Sequence, residues 1–292
     1  MAHFTANQST MEAICDTAEN GRTIMVHIVD FDIMDGIQWP ALMEALYNSN
    51  IGVGHMRITA IKWDQKVYSY WKHTGRRLCK HAESMGIPFS FEEKELKDVN
   101  SVCAEKDEMI IANCMWRLPH MSHDRSKQKL SDFFNGVRCL RPAILTVGRG
   151  AECESNSPDV FSRFVHGLQY SCAMFDSLEA ELAEHPLARE SIEKLLIGPA
   201  VMHMMPCQQN MIHGDQLKTA DIPLQSGYKV GVISERNVCQ ARAIISRQAG
   251  KYYGVQVMRD GRLSLTWASV PLLSVNVYVY CRPAHIKLGI RQ

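Results

Sequence analysis

The sequence predicts an α/β fold: a doubly wound, mostly parallel sheet with a C-terminal antiparallel hairpin and a helical cap insertion. Three observations predict it. Apolar strand patterns and amphipathic helix patterns alternate through the first half of the chain. A long stretch of helical spacing then breaks that alternation. Near the C-terminus, Asp260-Gly261 stands between two short β patterns. Repeated β-then-α order implies parallel strands joined by right-handed crossovers. Asp-Gly between hydrophobic runs marks a tight hairpin.

The elements follow in order. The first residues read as the back half of a helix, with Phe4, Met11, Ile14 and Cys15 on one side. Residues 25–30 are a continuous apolar run, suited to a strand buried on both faces. Residues 39–47 carry Leu42, Met43 and Leu46 at helical spacing. Asp35 and Gln38 have capping-box spacing there and Pro40 suits a first turn, which places the helix start near Gln38. Strands are expected at 55–61, 89–93, 108–114 and 142–147, and helices at 74–85 and 126–137. Residues 157–182 form a long amphipathic helix with Phe161, Phe164, Val165, Leu168, Cys172, Phe175, Leu178 and Leu182 along one stripe, the kind of stripe that usually enters a core. A second helix is expected at 190–203, an exposed irregular loop at 206–227, and a helix at 236–248. Strands at 252–259 and 263–268 form the hairpin, and 272–280 is the last β segment. Five alternating units closed by a hairpin match the class I methyltransferase version of the doubly wound sheet.

This predicts one domain over 1–292. Residues 1–20 are a remnant cap or linker helix, and 21–150 the first part of the α/β core. Residues 151–210 are the helical insertion, and 211–292 the helix and hairpin that complete the sheet.

Composition excludes several classes. The 292 residues are 46% hydrophobic, enough for one large domain. Lys and Arg number 32 against 31 Asp and Glu, so the chain cannot hold nucleic acid by overall charge. Any DNA contact has to come from a local patch, a dimer groove or a partner. Ten cysteines without a C-x-x-C pair, beside sixteen methionines, read as buried thiols in a reducing compartment. No apolar run approaches the roughly 20 residues of a membrane span, and the first residues lack the charged leader and apolar core of a signal peptide.

The stretch VHIVDFDIMDGIQWPALMEAL (26–46) carries the chemistry. An apolar strand runs into Asp30, Asp32 and Asp35, then one glycine, Gly36, then a helix. In doubly wound nucleotide-binding folds this loop brings backbone close to a cofactor, usually through several glycines. The carboxylates could bind a metal or the polar groups of a sulfonium cofactor. On the structural reading, Asp35 caps the helix and Asp30 accepts from loop amides, and that reading is favoured. Three negative charges repel pyrophosphate and argue against NAD or FAD. S-adenosylmethionine carries no phosphate, but the bulk of Phe31, Ile33 and Met34 disfavours it. The loop reads as a vestigial cofactor site with no cofactor.

Other candidates are weaker. Gln38 and Trp39 could contact a partner or pack on the sheet. Arg76, Arg77 and Lys80 form the strongest basic cluster, able to meet phosphate or an acidic partner from one helix face. A second run spans 125–129. Asp64 sits where a ribose ligand could lie. His120 with His123, and His203 with Cys207, lack zinc-finger spacing, so no metal is expected. No G-x-S-x-G or P-loop pattern is present.

The segment 26–46 resembles the VHIID motif of the plant GRAS transcriptional regulators. HFTANQ (3–8), MRITAI (56–61) and TGRRLCKHAESMGIPFSF (74–91) match its flanks. FSRFVHGLQYSCAMFDSLEA (161–180) and RESIEKLLIG (189–198) resemble the PFYRE region, and LTWASVPLLSVNVY (265–278) the SAW motif. The DFDI form is most similar to the nodulation-signalling-pathway-two and hairy-meristem branches. The resemblance implies a methyltransferase-like core with a helical cap and a nuclear role in transcription, with cytoplasm as a second compartment. It also implies action through other transcription factors and GRAS homo- or heterodimers, without enzymatic activity. Direct DNA binding is implied for only some members. A first leucine-rich helical region is expected ahead of His3 and is not in this sequence, so the domain reads as N-terminally incomplete. VGRGAE (147–152) replaces an acidic stretch, and Tyr278 stands in place of a tryptophan. The alternative function is an S-adenosylmethionine-dependent small-molecule methyltransferase.

Overall fold

The computed structural model describes residues 1–18, 23–49, 51–63, 71–115, 126–150, 159–198, 221–248 and 250–280. The first half alternates as expected: α1 (Ala2–Thr17), β1 (Ile24–Phe31), α2 (Gln38–Asn48), β2 (Val53–Lys62), α3 (Trp71–Ser84), β3 (Phe89–Glu95), β4 (Glu108–Cys114), α4 (Ser126–Arg138) and β5 (Ile144–Gly150). The second half holds α5 (Val160–Glu181), α6 (Pro186–Ile192), α7 (Asp221–Gln225), β6 (Tyr228–Val230), α8 (Glu235–Gln248), β7 (Tyr253–Val257), β8 (Leu263–Trp267) and β9 (Val270–Tyr280).

The strands join in one nine-stranded sheet of order β3-β2-β1-β4-β5-β9-β8-β7, with β6 pairing β9. Strands β1 to β5 are mutually parallel, and β9 runs antiparallel between β5 and β8. That order, with the antiparallel strand inserted beside β5, is the doubly wound class I methyltransferase arrangement the sequence predicts.

Alternating side chains of β1 feed two cores. Val26 and Ile28 pack with Leu42, Met43 and Leu46 of α2 and Leu78 and Ala82 of α3. Val29 and Phe31 pack with Leu130, Phe133, Phe134 and Val137 of α4 on the other face. A strand buried on both faces is mostly apolar, and in β1 only His27 and Asp30 interrupt the run of hydrophobic side chains. The helix α1 lies against α2, β5 and β9 and buries Ala2, Ala6 and Ile14.

Several expectations are corrected. The helix expected at 190–203 begins earlier, because Pro186 fits the first turn, where its missing N–H costs nothing. Residues 199–203 lie outside the described residues. Within the expected loop at 206–227, Asp221–Gln225 is helical; residues 206–220 lie outside the described residues. The three-residue strand β6 is too short to show a period. The seven described cysteines are free thiols, but only Cys114 among them is buried. The long apolar stripe of α5 divides: Phe175 and Leu178 pack against a buried cluster with Trp267 and Leu272, but its N-terminal part does not. Tyr170, Ala173, Met174 and Ser177 face inward, whereas Phe161, Phe164 and Leu168 are exposed. Among the described residues no helix is long and apolar enough to cross a membrane.

Candidate functional site

In a doubly wound sheet, ligands bind beyond the carboxyl ends of the strands where the strand order reverses. Here that point lies between β1 and β4, and a row of polar side chains crosses it. Asp30 of β1 stands opposite Asn113 of β4, which stands opposite Thr146 of β5. All three are buried. Asn113 Nδ2 donates to Asp30 Oδ1 at 2.8 Å, and Thr146 Oγ donates to Asn113 Oδ1 at 2.6 Å. The indole of Trp39 takes the other oxygen of Asp30, donating from Nε1 to Oδ2 at 2.8 Å.

Gln38, the first residue of α2, closes the row from above. Its amide exchanges hydrogen bonds with the Asn113 amide, both at 3.2 Å. The helix α1 then seals Gln38. His3 Nδ1 donates to Gln38 Oε1 at 3.0 Å, and Asn7 Nδ2 donates to the Gln38 carbonyl at 2.8 Å. Both Asp30 oxygens are occupied by protein donors. Burial pushes its carboxyl up to about 7, against the hydrogen bonds from Asn113 and Trp39, with Asp32 adding to the upward shift.

The loop between β1 and α2 is tightly wound. Asp32, Met34 and Gly36 all have positive φ, at 64°, 48° and 64°. For Met34 this conformation is rare. Phe31 and Ile33 point into the core, and burial raises the Asp32 carboxyl, opposed by a hydrogen bond from Trp63. The helix α3 clamps the loop from outside. Thr74 Oγ donates to the Met34 carbonyl at 2.8 Å, and Arg77 Nη2 to the Asp35 carbonyl at 2.7 Å. A Cβ on Gly36 would stand 2.8 Å from Thr74 Cγ2, so only glycine fits beneath α3.

Placement corrects the expected roles. Asp35 does not cap α2, whose N-cap is Ile37 without a side-chain bond; it is exposed and paired with Arg77. Asp30 accepts from side chains, not loop amides. Gln38 and Trp39 are buried and engaged inside, so neither presents a surface to DNA or a partner. Arg76, Arg77 and Lys80 are exposed on α3. Among the described residues, no group of three or more His, Cys, Asp or Glu could hold a metal. Asp64, His120, His123, Arg125, His203 and Cys207 lie outside the described residues.

A GRAS domain family model matches residues 1–278. The chain belongs to the GRAS domain family. Relatives include Protein NODULATION SIGNALING PATHWAY 2 of Lotus japonicus, 31% identical over 286 residues that make up 94% of this chain and 55% of that one. Scarecrow-like protein 26 of Arabidopsis thaliana is 30% identical over 291 residues, 96% of this chain and 59% of the relative. The chain therefore spans little more than half the length of these relatives. Among solved structures, the crystal structure of SCL7 in Oryza sativa superposes with a TM-score of 0.78 at 26% identity, covering 95% of this chain and 78% of that one. The family's members are plant regulatory proteins.

Seen as a GRAS domain, the segment 26–46 is β1, its tight loop and α2, and the segment 265–278 is the β8–β9 ribbon. Tyr278 is buried in the core, with Leu145 opposite it on β5, so the ring serves packing. Sequence reasoning missed Asn113, Thr146, His3 and Asn7. Asn113 gave a signal: it is a polar residue in the apolar run that follows Glu108 in β4, and a buried amide needs partners. Nothing in α1 marked His3 or Asn7 as partners of a residue 31 to 35 positions later.

Proposed function

We propose that this GRAS domain acts in the nucleus as a regulator of plant transcription, and that it does so as a protein-interaction scaffold without catalysing a reaction. One observation carries this reading. At the switch point of a cofactor-binding fold, the polar groups that could hold a cofactor are consumed by one another and sealed under α1. A donor such as S-adenosylmethionine would have to displace Gln38, His3 and Asn7, leaving buried amides unpaired, each at about 1–3 kcal/mol.

The exposed stripe of α5 supports the scaffold role. Phe161 is 72% exposed and Leu168 45%, with Phe164 between them. Three large apolar side chains at i, i+3 and i+7 mark a surface that another protein covers. We assign it to association with other transcription factors, including further GRAS domains as homo- or heterodimers.

Titration calorimetry with S-adenosylmethionine, paired with a transcriptional reporter in plant cells, tests this reading. We expect no heat at micromolar ligand, and reporter output that depends on the α5 stripe. Micromolar binding would establish the methyltransferase alternative instead.

A second reading, local DNA contact, has one observation in its favour: Arg76 and Lys80 are exposed one turn apart and unpaired among the described residues. It predicts that reversing Arg76, Arg77 and Lys80 together weakens DNA retention and flattens its salt dependence.

A further inference from the structure

A groove of about 940 Å³ runs between α3 and β3, away from the switch point. One wall is the basic side of α3, with His73, Arg76, Arg77 and Lys80; the other is β3, with Phe91 and Glu93. Gly75 brings the walls together. A Cβ there would lie 2.5 Å from Phe91 Cδ1, so the ring rests directly against the helix backbone and gives the groove an apolar floor.

The two walls differ in how their charges are satisfied. On β3, Glu92 accepts from Thr59 and lies 3.7 Å from Arg57, Glu93 pairs with Lys62, and Glu95 pairs with Lys97 at 2.8 Å. On α3, Arg77 is held by Asp35, while Arg76 and Lys80 have no ion pair among the described residues. The charges still wanting a partner are therefore positive. In addition, β3 is the end strand of the sheet among the described residues, and all its residues are partly exposed. Its outer row of N–H and C=O groups is a template for another strand.

We propose that this groove binds an extended peptide segment of a partner protein, with acidic and apolar side chains in alternation, which adds to β3 as a further strand. The proposal rests on the scaffold reading and gives it a site. Strand addition supplies main-chain hydrogen bonds, and alternate side chains supply specificity. The spacing fits: four residues of helix rise about 6 Å, and two residues of strand about 6.6 Å. Acidic side chains two apart, on the face turned to α3, can thus meet Arg76 and Lys80, while the intervening apolar side chains turn to the opposite face of the sheet. A DNA duplex fits worse. It carries a charge every 1.7 Å or so and would lie against Glu93 and Glu95 as well as α3.

The test is fluorescence anisotropy of the whole chain with a labelled eight-residue peptide alternating Asp with Phe or Val. Three further probes are the same peptide with Lys for Asp, the same peptide N-methylated at alternate amides, and a labelled duplex. We expect micromolar binding of the acidic peptide, and weakening of about tenfold or more on Lys substitution, on N-methylation, and in the Arg76→Glu/Lys80→Glu protein. Both residues are exposed, so unchanged circular dichroism verifies that this variant folds. Binding that is absent, equal in the variant or indifferent to N-methylation overturns the proposal, as does retention of the duplex without the peptide. If the peptide fails while the reporter still depends on the α5 stripe, this groove is refuted and the scaffold function stands.

Discussion

The Trp39 indole donates to the buried carboxylate of Asp30 across the turn that separates β1 from α2, at 2.8 Å. In a cofactor-binding relative of this sheet, that turn faces a ligand. Here it faces the first residues of its own helix. The bond ties together the strand end, the helix start and, through Asn113, the neighbouring strand, so the switch point is held closed by internal partners.

Asp30 makes stability depend on pH. Its carboxyl is raised from the usual 3.8 to about 7. Between those values the folded chain binds the proton and the unfolded chain does not. Stability from this group therefore falls as pH rises through the interval, on the order of 4 kcal/mol in all. Asp30→Asn should flatten that part of the curve. Urea unfolding of both proteins from pH 4 to 8 measures it; parallel curves would show that Asp30 ionises normally.

Removing the indole donor should be costly in the opposite half of the range. Trp39→Phe keeps most of the buried ring but leaves one Asp30 oxygen unpaired. The expected loss is about 1–3 kcal/mol at pH 8, where the carboxylate is charged, and less at pH 5. An equal loss at both pH values would mean the indole acts through packing alone.

Gly36 and Gly86 separate two kinds of strain. Both have positive φ, at 64° and 68°. A Cβ on Gly36 would press on Thr74, whereas one on Gly86 would meet nothing within 4 Å. Gly86→Ala should cost about 1 kcal/mol from backbone conformation. Gly36→Ala should cost more and loosen the clamp of α3 on the loop. Thermal unfolding of the pair decides it, and equal shifts would show that α3 yields freely.

In the middle of β1, His27 is fixed in one neutral tautomer. Thr59 has a single hydroxyl proton and donates it to Glu92 at 2.5 Å. It therefore accepts from His27 Nε2 at 2.8 Å, which leaves Nδ1 bare to accept from Arg57 at 3.0 Å. Burial, with Arg57 adding to it, lowers the imidazole from 6.5 to about 4. Against the upward push of burial, Arg57 and the Glu105 amide hold the Glu108 carboxyl low. Below 6.5 the unfolded chain binds a proton at His27 that the folded chain refuses. Stability from His27 is thus lost as pH falls from about 6.5 to 4, the reverse of the Asp30 slope. Nitrogen-15 ring spectra should show a protonated Nε2 and no titration above pH 5.

The strands and helices of the first half were legible because burial on two faces or one stripe leaves a periodic trace. The bulk of Phe31, Ile33 and Met34 marked the loop as altered, but Phe31 and Ile33 turn into the core, and Gln38 beneath α1 closes the switch point instead. The partners in that closure were not legible. Asp30, Asn113 and Thr146 are neighbours only through strand pairing, and α1 reaches Gln38 by a tertiary contact that has no local period. The same limit misplaced Asp35, whose spacing to Gln38 suits a cap, while the chain uses Gly36 to turn before α2 begins. In α5, periodicity identified an apolar stripe but could not say which side the sheet would cover.

That stripe yields the last prediction. Tyr170, Ala173, Met174 and Ser177 lie on the side of α5 opposite Phe161, Phe164 and Leu168, since residues nine apart on a helix, such as Phe161 and Tyr170, sit half a turn out of phase. The inward set packs with Trp267 and Leu272, so the C-terminal half of the helix anchors it and the N-terminal half stands free of the core. Phe161→Asp with Leu168→Asp should leave the unfolding midpoint within about 0.5 kcal/mol of the parent, as surface substitutions do. The same pair should lower the associated mass seen by light scattering and abolish partner-dependent reporter output. Met174→Asp, on the buried side, should do the reverse, destabilising the fold by several kcal/mol through an unpaired buried charge. If the exposed pair unfolds the protein while sparing association, the two faces of α5 have been assigned the wrong way round.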